Sequence, residues 1–388
     1  MIRKKIKKLL KATKEVFREI SYENGAITSS SARFRIYPKD VKGYDFVWPR
    51  DASYICVAAD YLAMHKISRK FFKWCLNYAE GLKEEGVFLY HKFFPNGRAA
   101  GDYDHPLRIG DLKNKRLIKI LKSQVTARCY YSNFQPDETG SLLWAIEEHS
   151  KYEDISEFKG LVKIVANGIC KYWRKSHFKI PSKDLWEERT AWPNLDQTHT
   201  YSLAMCKKGL EAAERICGQD KKWSACINQM RKRLENSVCK LEGRIRFVRT
   251  FGKKIDKEID SSLLGLVWPS NAFDVRDSRI IQTVVEIEEK CVKDGVYRYV
   301  GDRYDGKIVN YTQVLGGAGS WPILNFWLSI YFSLANNREK ALKYFNWVIE
   351  RVDNYIPEQI KDGKPASVIP LGWSHAMFVI AGKYLNLF

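Results

Sequence analysis

The sequence predicts an all-α fold: antiparallel helical pairs closing into a six-hairpin (α/α)6 barrel, with short β pieces in loops at one rim. Three observations carry the helical part. Apolar residues recur at helical spacing in about twelve segments of the 388-residue chain. Several neighbouring segments are joined by turns as short as His65-Lys66 and Asn336-Asn337, which leaves adjacent helices antiparallel. No repeat of fixed length is visible, which argues against an open solenoid, and six hairpins closing on themselves leave no exposed end.

In chain order, the first segment, 2–22, is basic. Ile2, Ile6, Leu9, Leu10 and Val16 lie near helical spacing, as in an amphipathic helix docked on a larger body. Helices follow at 50–64, 67–84, 137–150, 155–175, 196–217, 219–239, 260–267, 275–292, 319–335, 337–353 and 372–386. Between them, Ala32–Tyr37, Gly86–Phe93, Arg244–Val248 and Val296–Val300 read as short strands bounded by Gly or Pro. No linker or low-complexity run divides the chain, so residues 1–388 are expected to form a single domain, with 1–25 as its basic N-terminal helix.

Composition bounds the function. The 12 Trp, 21 Tyr and 19 Phe exceed what a core needs, and aromatics lining a cleft make sugar platforms. The formal charge of +20 reads either as a Lys-rich surface or as a polyanion binder. Basic residues are spread along the chain and no nucleic-acid motif is present, so nucleic acid is not expected as a partner. No run of about 18 apolar residues predicts a membrane span, and Met1–Phe17 lacks the apolar region of a secretory signal. The nine Cys include no CxxC and no Cys/His pair at zinc spacing. They read as buried apolar residues in a reducing compartment, and the cytoplasm is the expected location.

Unusual motifs gather at predicted helix starts: Trp48-Pro49-Arg50-Asp51, Gln135-Pro136-Asp137-Glu138, and Gly372-Trp373. Asp184-Leu185-Trp186-Glu187-Glu188-Arg189 precedes another helix, and Pro357-Glu358-Gln359 follows one. Together they suggest one shared face. The Asp184–Arg189 segment packs three carboxylates, an indole and a cation into six residues, which reads either as a charged loop with one buried Trp or as sugar-cleaving machinery. Glycoside hydrolysis needs one protonated and one ionised carboxyl flanking the scissile bond. Glu187 is the proton-donor candidate, because Glu188 and Asp184 beside it should raise the cost of its anion. Glu358, at a helix end before the loop Asp362–Pro370, is the candidate for the second carboxylate.

These segments resemble a known family. Tyr44–Ala52 is similar to the YxFVWPRDA signature of glycoside hydrolase family 15, the glucoamylase family, and Asp184–Arg189 to its DLWEER block. Gln135–Gly140, Gly295–Asp302 and Pro357–Gln359 resemble its QxDExG, GxxRYxGDxY and PEQ blocks. Leu371–Ala376 follows the last at the right kind of distance. The five blocks stand in the family's order and span nearly the whole chain. The resemblance implies a six-hairpin barrel with a central funnel, and hydrolysis by single displacement with inversion, releasing β-glucose from non-reducing chain ends. Glu187 would be the general acid and Glu358 the general base. Arg50 and Asp51 would bind the terminal glucose. Glu188 and Arg298 would also contact sugar, and Trp48, Trp186 and Trp373 would line the pocket with Asp184 in its setting. Inversion leaves room for a water, which sets the carboxyls about 6.5–9.5 Å apart. No metal or organic cofactor is called for. The expected partner is an oligosaccharide or glucan.

The departures concern the aglycone side. Prokaryotic members usually carry an N-terminal β-sandwich domain, whereas here the family's blocks begin at Tyr44. The stretch Thr190–Gln197 is longer than the family's spacer, and Tyr103 stands where a Trp is often found. Trehalase and α-1,6-glucosidase activities are therefore alternatives, as is a non-catalytic glucan-binding protein. His199 and His375 are read as hydrogen-bonded structural residues, Trp321 and Trp327 as core, and Gly316–Ser320 as a turn before a helix.

Overall fold

The structure, a computed structural model, describes residues 2–41, 43–100, 134–306 and 317–388, with the backbone of 308–309 and 312–313. Eleven helices of thirteen residues or more lie among them. They are α1 (Ile2–Ile20), α2 (Pro49–Tyr61), α3 (His65–Asn77), α4 (Pro136–His149), α5 (Lys159–Tyr172) and α6 (Thr200–Cys217). Then come α7 (Lys221–Glu235), α8 (Ser278–Cys291), α9 (Pro322–Leu334), α10 (Arg338–Arg351) and α11 (Gly372–Tyr384). A 3-10 helix runs over Ser261–Leu266.

Patterning sorts these helices into two rings. In α2, α4, α9 and α11 nearly every residue is buried, on all sides. Such helices belong inside. α1, α3, α5, α7, α8 and α10 each bury one stripe. The inner elements pack in a closed cycle: α2 on α4, α4 on α6, α6 on the 3-10 helix, that on α9, α9 on α11, and α11 on α2. The six striped helices surround them. This is the expected (α/α)6 barrel, with a 3-10 helix as its fifth inner element. α1 is itself an outer helix, packed on α10, α11 and α2. The tightest crossing is α4 on α6. A Cβ at Gly140 would stand 2.3 Å from the Met205 carbonyl oxygen, so only glycine permits this approach.

Three inner helices start alike, with Pro in the first turn after an extended residue: Trp48-Pro49, Gln135-Pro136 and Trp321-Pro322. Proline is pre-set for helix there and sacrifices no hydrogen bond. Outer helices α7, α8 and α10 start instead on side-chain caps: Asp220, Asp277 and Asn337 accept from their own first turns.

The β pieces are two- to four-residue strands in the loops, most of them paired as hairpins, with Thr198–His199 pairing instead with the distant Thr250–Phe251. Arg244–Phe247 pairs with Val238–Leu241, as its alternation predicts. The strand expected at Val296–Val300 shortens to Gly295–Val296, paired with Val292–Lys293. Ala32–Tyr37 is not a strand but a series of turns, and in Gly86–Phe93 only Phe93 bridges, to Val47 and Ala99. Alternating residues form a strand only where a neighbouring backbone takes the ladder hydrogen bonds, and apart from Phe93 these segments have no such neighbour.

Candidate active site

The loop of Asp184–Arg189 is built around its first carboxylate. Asp184 Oδ1 accepts from the Glu188 and Arg189 backbone N–H groups at 2.9 and 3.1 Å, and Oδ2 accepts from Arg189 Nη1 at 3.1 Å. Backbone bonds Glu187 N–H to Asp184 C=O and Asp184 N–H to Arg189 C=O, both 3.0 Å, close the turn. Within it Glu187 sits at φ +64°, a left-handed conformation that costs free energy for a non-glycine residue and persists only when its surroundings over-determine it. Asp184 supplies that determination. The result aims Glu187 at α2. Trp48 Nε1–H donates to its Oε1 at 2.9 Å, and His91 Nε2 lies 3.3 Å from its Oε2. About a third of its side chain, 34%, is open to solvent within the site.

Glu358 stands in a different setting. It is 6% exposed. Both its oxygens accept from the Tyr44 hydroxyl at 2.9 Å, and Oε2 also accepts from Ser367 Oγ. Tyr44 is paired in turn with the Tyr304 hydroxyl at 2.6 Å. The Tyr44 and Trp48 rings lie 6.1 Å apart, so one carboxylate is held by each ring of an adjacent pair.

The two carboxyls titrate apart, in the sense opposite to the one expected. Burial pushes Glu187 up, but the charges of His91, Arg50 and Lys92 and the Trp48 N–H outweigh it, so its carboxyl lies below the ordinary value. Asp184 and Glu188, expected to raise it, are not among its main influences. Asp184 is turned into its own loop, and Glu188 is engaged by cations. Glu358 is pushed up to about 7 by burial, against the opposing hydrogen bonds of Ser367 and Tyr44 and the charge of Arg298.

The floor is formed by α2. Arg50 Nη1 donates to Gln135 Oε1 at 2.6 Å, its Nε stands 3.3 Å from Asp51 Oδ1, and its guanidinium lies 5.1 Å from the centre of the Trp373 ring. Ser29 Oγ donates to Asp51 Oδ2 at 2.9 Å. Among the buried polar atoms around this cluster, Gln135 Nε2, Trp373 Nε1 and both Glu138 carboxyl oxygens have no protein hydrogen-bond partner, and Arg50 Nε and Asp51 Oδ1 face only each other, as an ion pair. Buried polar groups normally find partners, so donors and an acceptor left open side by side mark where a polar ligand fits. On the opposite wall, Arg298 makes a two-pronged ion pair with Asp302 at 2.6 and 2.7 Å and reaches Glu188 Oε1 at 2.7 Å. Tyr299 OH donates to Glu188 Oε2. Trp186 is 7% exposed, with its indole N–H directed to Asp260 Oδ1 at 3.0 Å, and it packs on Trp321 with ring centres 5.6 Å apart.

The sequence-derived residues thus meet at the N-terminal ends of the inner helices. Trp48, Arg50, Asp51, Glu187, Glu188, Arg298, Glu358 and Trp373 are joined by the contacts above, and Asp184 and Trp186 brace the loop that carries Glu187 and Glu188. Sequence reasoning missed His91, Ser367 and Tyr304. Ser367 and His91 stand in otherwise ordinary loops, and only the fold brings them to the carboxylates. Trp321, read as core, is buried, yet it stacks on Tyr304 with centres 6.3 Å apart, beside Arg298. His199 and His375 are structural, as read. His199 bonds Thr250 and Ser182, and His375 bonds Thr13 and the Ile356 N–H. Tyr103 and Gly316 lie outside the described residues.

A ring of six helical hairpins, with two differently held carboxyls and an open polar floor at the inner-helix N-termini, is a six-hairpin barrel with one candidate active site. The chain belongs to the glycosyl hydrolases family 15, whose model matches residues 24–383. It is 29% identical to an uncharacterised glycosyl hydrolase of Methanocaldococcus jannaschii over 356 residues, 87% of this chain and 50% of that protein. The chain therefore spans about half the length of that curated relative. Among solved structures, a wild-type glycosidase superposes with a TM-score of 0.75 at 17% identity, covering 100% of this chain and 98% of that one. A bacterial glucoamylase complexed with acarbose gives 0.67 at 18%, covering 96% and 55%. A Saccharomycopsis fibuligera glucoamylase gives 0.65 at 13%, covering 97% and 94%. At these identities the structural likenesses concern the fold. Among the described residues no helix is long and apolar enough to cross a membrane.

Proposed function

We propose that this chain is an inverting, exo-acting glycosidase that releases β-glucose from the non-reducing ends of α-1,4-glucans or maltooligosaccharides, acting as one catalytic domain in the cytoplasm. The observation that carries the reading is the pair Glu187 and Glu358, held on adjacent rings in contrasting electrostatic settings beside an open polar floor. Separated carboxyl environments are what acid–base cleavage of a glycoside requires. The floor of Arg50, Asp51 and Gln135 offers donors and an acceptor at once, which suits the hydroxyls of a neutral sugar.

In this reading Glu187 protonates the leaving oxygen and Glu358 activates the attacking water. The free site favours the reverse proton distribution, so substrate must redistribute it. An aglycone covering the open third of Glu187 excludes water and raises its pKa. Sugar or water hydroxyls donating to Glu358 stabilise its anion. A second reading exchanges the roles, and the raised pKa of Glu358 favours it. Glucosyl fluoride, which needs no proton on its leaving group, separates the two. Glu187→Gln should retain turnover of the fluoride while losing maltose hydrolysis, and Glu358→Gln should lose both. Rescue of Glu358→Gln instead would establish the exchange. Glucose release from maltose, isomaltose and trehalose tests the linkage, and hydrolysis of trehalose alone would overturn it.

A further inference from the structure

At the opposite end of the inner ring from the site, three side chains converge on one point. Asp60 ends α2, His65 begins α3 and His149 ends α4. Asp60 Oδ1 lies 2.9 Å from His65 Nδ1 and 3.0 Å from His149 Nδ1, and Oδ2 lies 2.9 Å from His149 Nδ1. All three ligand atoms fall within 4.8 Å of one another. The rings are fixed from outside: Tyr152 stacks on His65 at 5.3 Å, and Phe72 meets His149 edge-on at 5.4 Å. Asp60 and His149 are buried, and His65 closes the cluster at the surface with a quarter of its side chain exposed.

His149 makes the cluster more than two histidines sharing an acid. Its Nε2 is buried without a hydrogen-bond partner, and Glu153 Oε2 lies 3.7 Å away, held by Arg69 Nη1 at 3.3 Å. His149 Nδ1 faces Asp60, while Nε2 faces that second carboxylate from beyond hydrogen-bond reach. With a metal ion on Nδ1 the ring N–H sits on Nε2 and points at Glu153. This is the outer-shell arrangement in which a ligating imidazole gives its other N–H to a carboxylate. The spacing also fits. Ligand bonds of about 2.0–2.2 Å in tetrahedral geometry place donor atoms about 3.3–3.6 Å apart, so the two Asp60–His contacts need open by only about 0.5 Å, and the two His nitrogens already lie within 4.8 Å of each other.

We propose that Asp60, His65 and His149 form a binding site for a divalent transition-metal ion that clips α2, α3 and α4 together, with Glu153 orienting His149. Two imidazoles and one carboxylate suit ions such as Zn2+ and Co2+, with at least one position left for water. The ligands come from separate elements, so no local motif announces the site. It is independent of the sugar site and of the activity assigned there.

The test is titration of the metal-free whole chain with Co2+, followed by displacement with Zn2+. The expected result is one equivalent bound, visible d–d bands without a thiolate charge-transfer band, and a higher melting temperature with Zn2+. His65→Ala should weaken binding at least about tenfold, as should Glu153→Gln, while glucose release stays unchanged. If His65→Ala fails to fold, Glu153→Gln decides alone. No saturable uptake, a thiolate band, or variants that bind as tightly as the parent would overturn the site.

Discussion

Replacing Glu358 by Gln should stabilise the protein at alkaline pH relative to the parent, by an amount that follows from burial. The folded carboxyl is raised from its ordinary 4.5 to about 7. A raised carboxyl binds its proton more tightly folded than unfolded. Its contribution is therefore fully present below the unfolded value and lost as pH rises through about 7. A shift of about 2.5 units corresponds to about 3.4 kcal/mol, of which about 2.5 kcal/mol falls between pH 5 and pH 8. Gln cannot ionise and keeps the shape and polar partners of the side chain, with Tyr44 and Ser367 still in reach. Urea unfolding of both proteins at pH 5 and pH 8 gives a double difference in which all other titrations cancel. The parent should lose about 2.5 kcal/mol more than the variant over that interval. Equal pH dependence, within about 0.5 kcal/mol, would refute the claim that burial governs Glu358.

Asp184→Ala removes three hydrogen bonds from the turn, at about 0.5–1.5 kcal/mol each. It should lower stability by about 2–3 kcal/mol in denaturant unfolding, and misplacing Glu187 should reduce kcat by on the order of 100-fold. For kcat/KM, a bell-shaped pH profile is expected whose alkaline limb falls near pH 7, where Glu358 loses its proton. His91→Gln removes the largest influence holding Glu187 down, so the acidic limb should move to higher pH while the alkaline limb stays; an unmoved acidic limb would show that His91 does not tune Glu187.

How far the sequence reaches is set by where the determining contacts lie. Helical periodicity is local, and the expected helices are found within a few residues, except that 67–84 ends at Asn77 with a separate turn of helix at Leu82–Glu85, and 260–267 is realised as a 3-10 helix. Ala32–Tyr37 alternates like a strand, but no ladder partner lies beside it, and a single chain segment cannot announce that. The residues that meet at the site were legible mainly because their blocks resemble those of the family, several of them at helix starts. The electrostatics were not. Glu188 adjoins Glu187 in sequence, yet it is held by Arg298 and the Tyr299 hydroxyl, while His91, about a hundred residues upstream, sits against the Glu187 carboxyl. Neighbours in sequence were thus poor guides to neighbours in charge. Asp60, His65 and His149 follow the same logic, since three elements contribute one residue each.

The central claim is cleavage by a single displacement across Glu187 and Glu358. Proton NMR of the first-formed sugar during maltose hydrolysis tests it most directly, before mutarotation mixes the anomers. β-Glucose appearing first is the predicted result, and α-glucose appearing first would contradict the account.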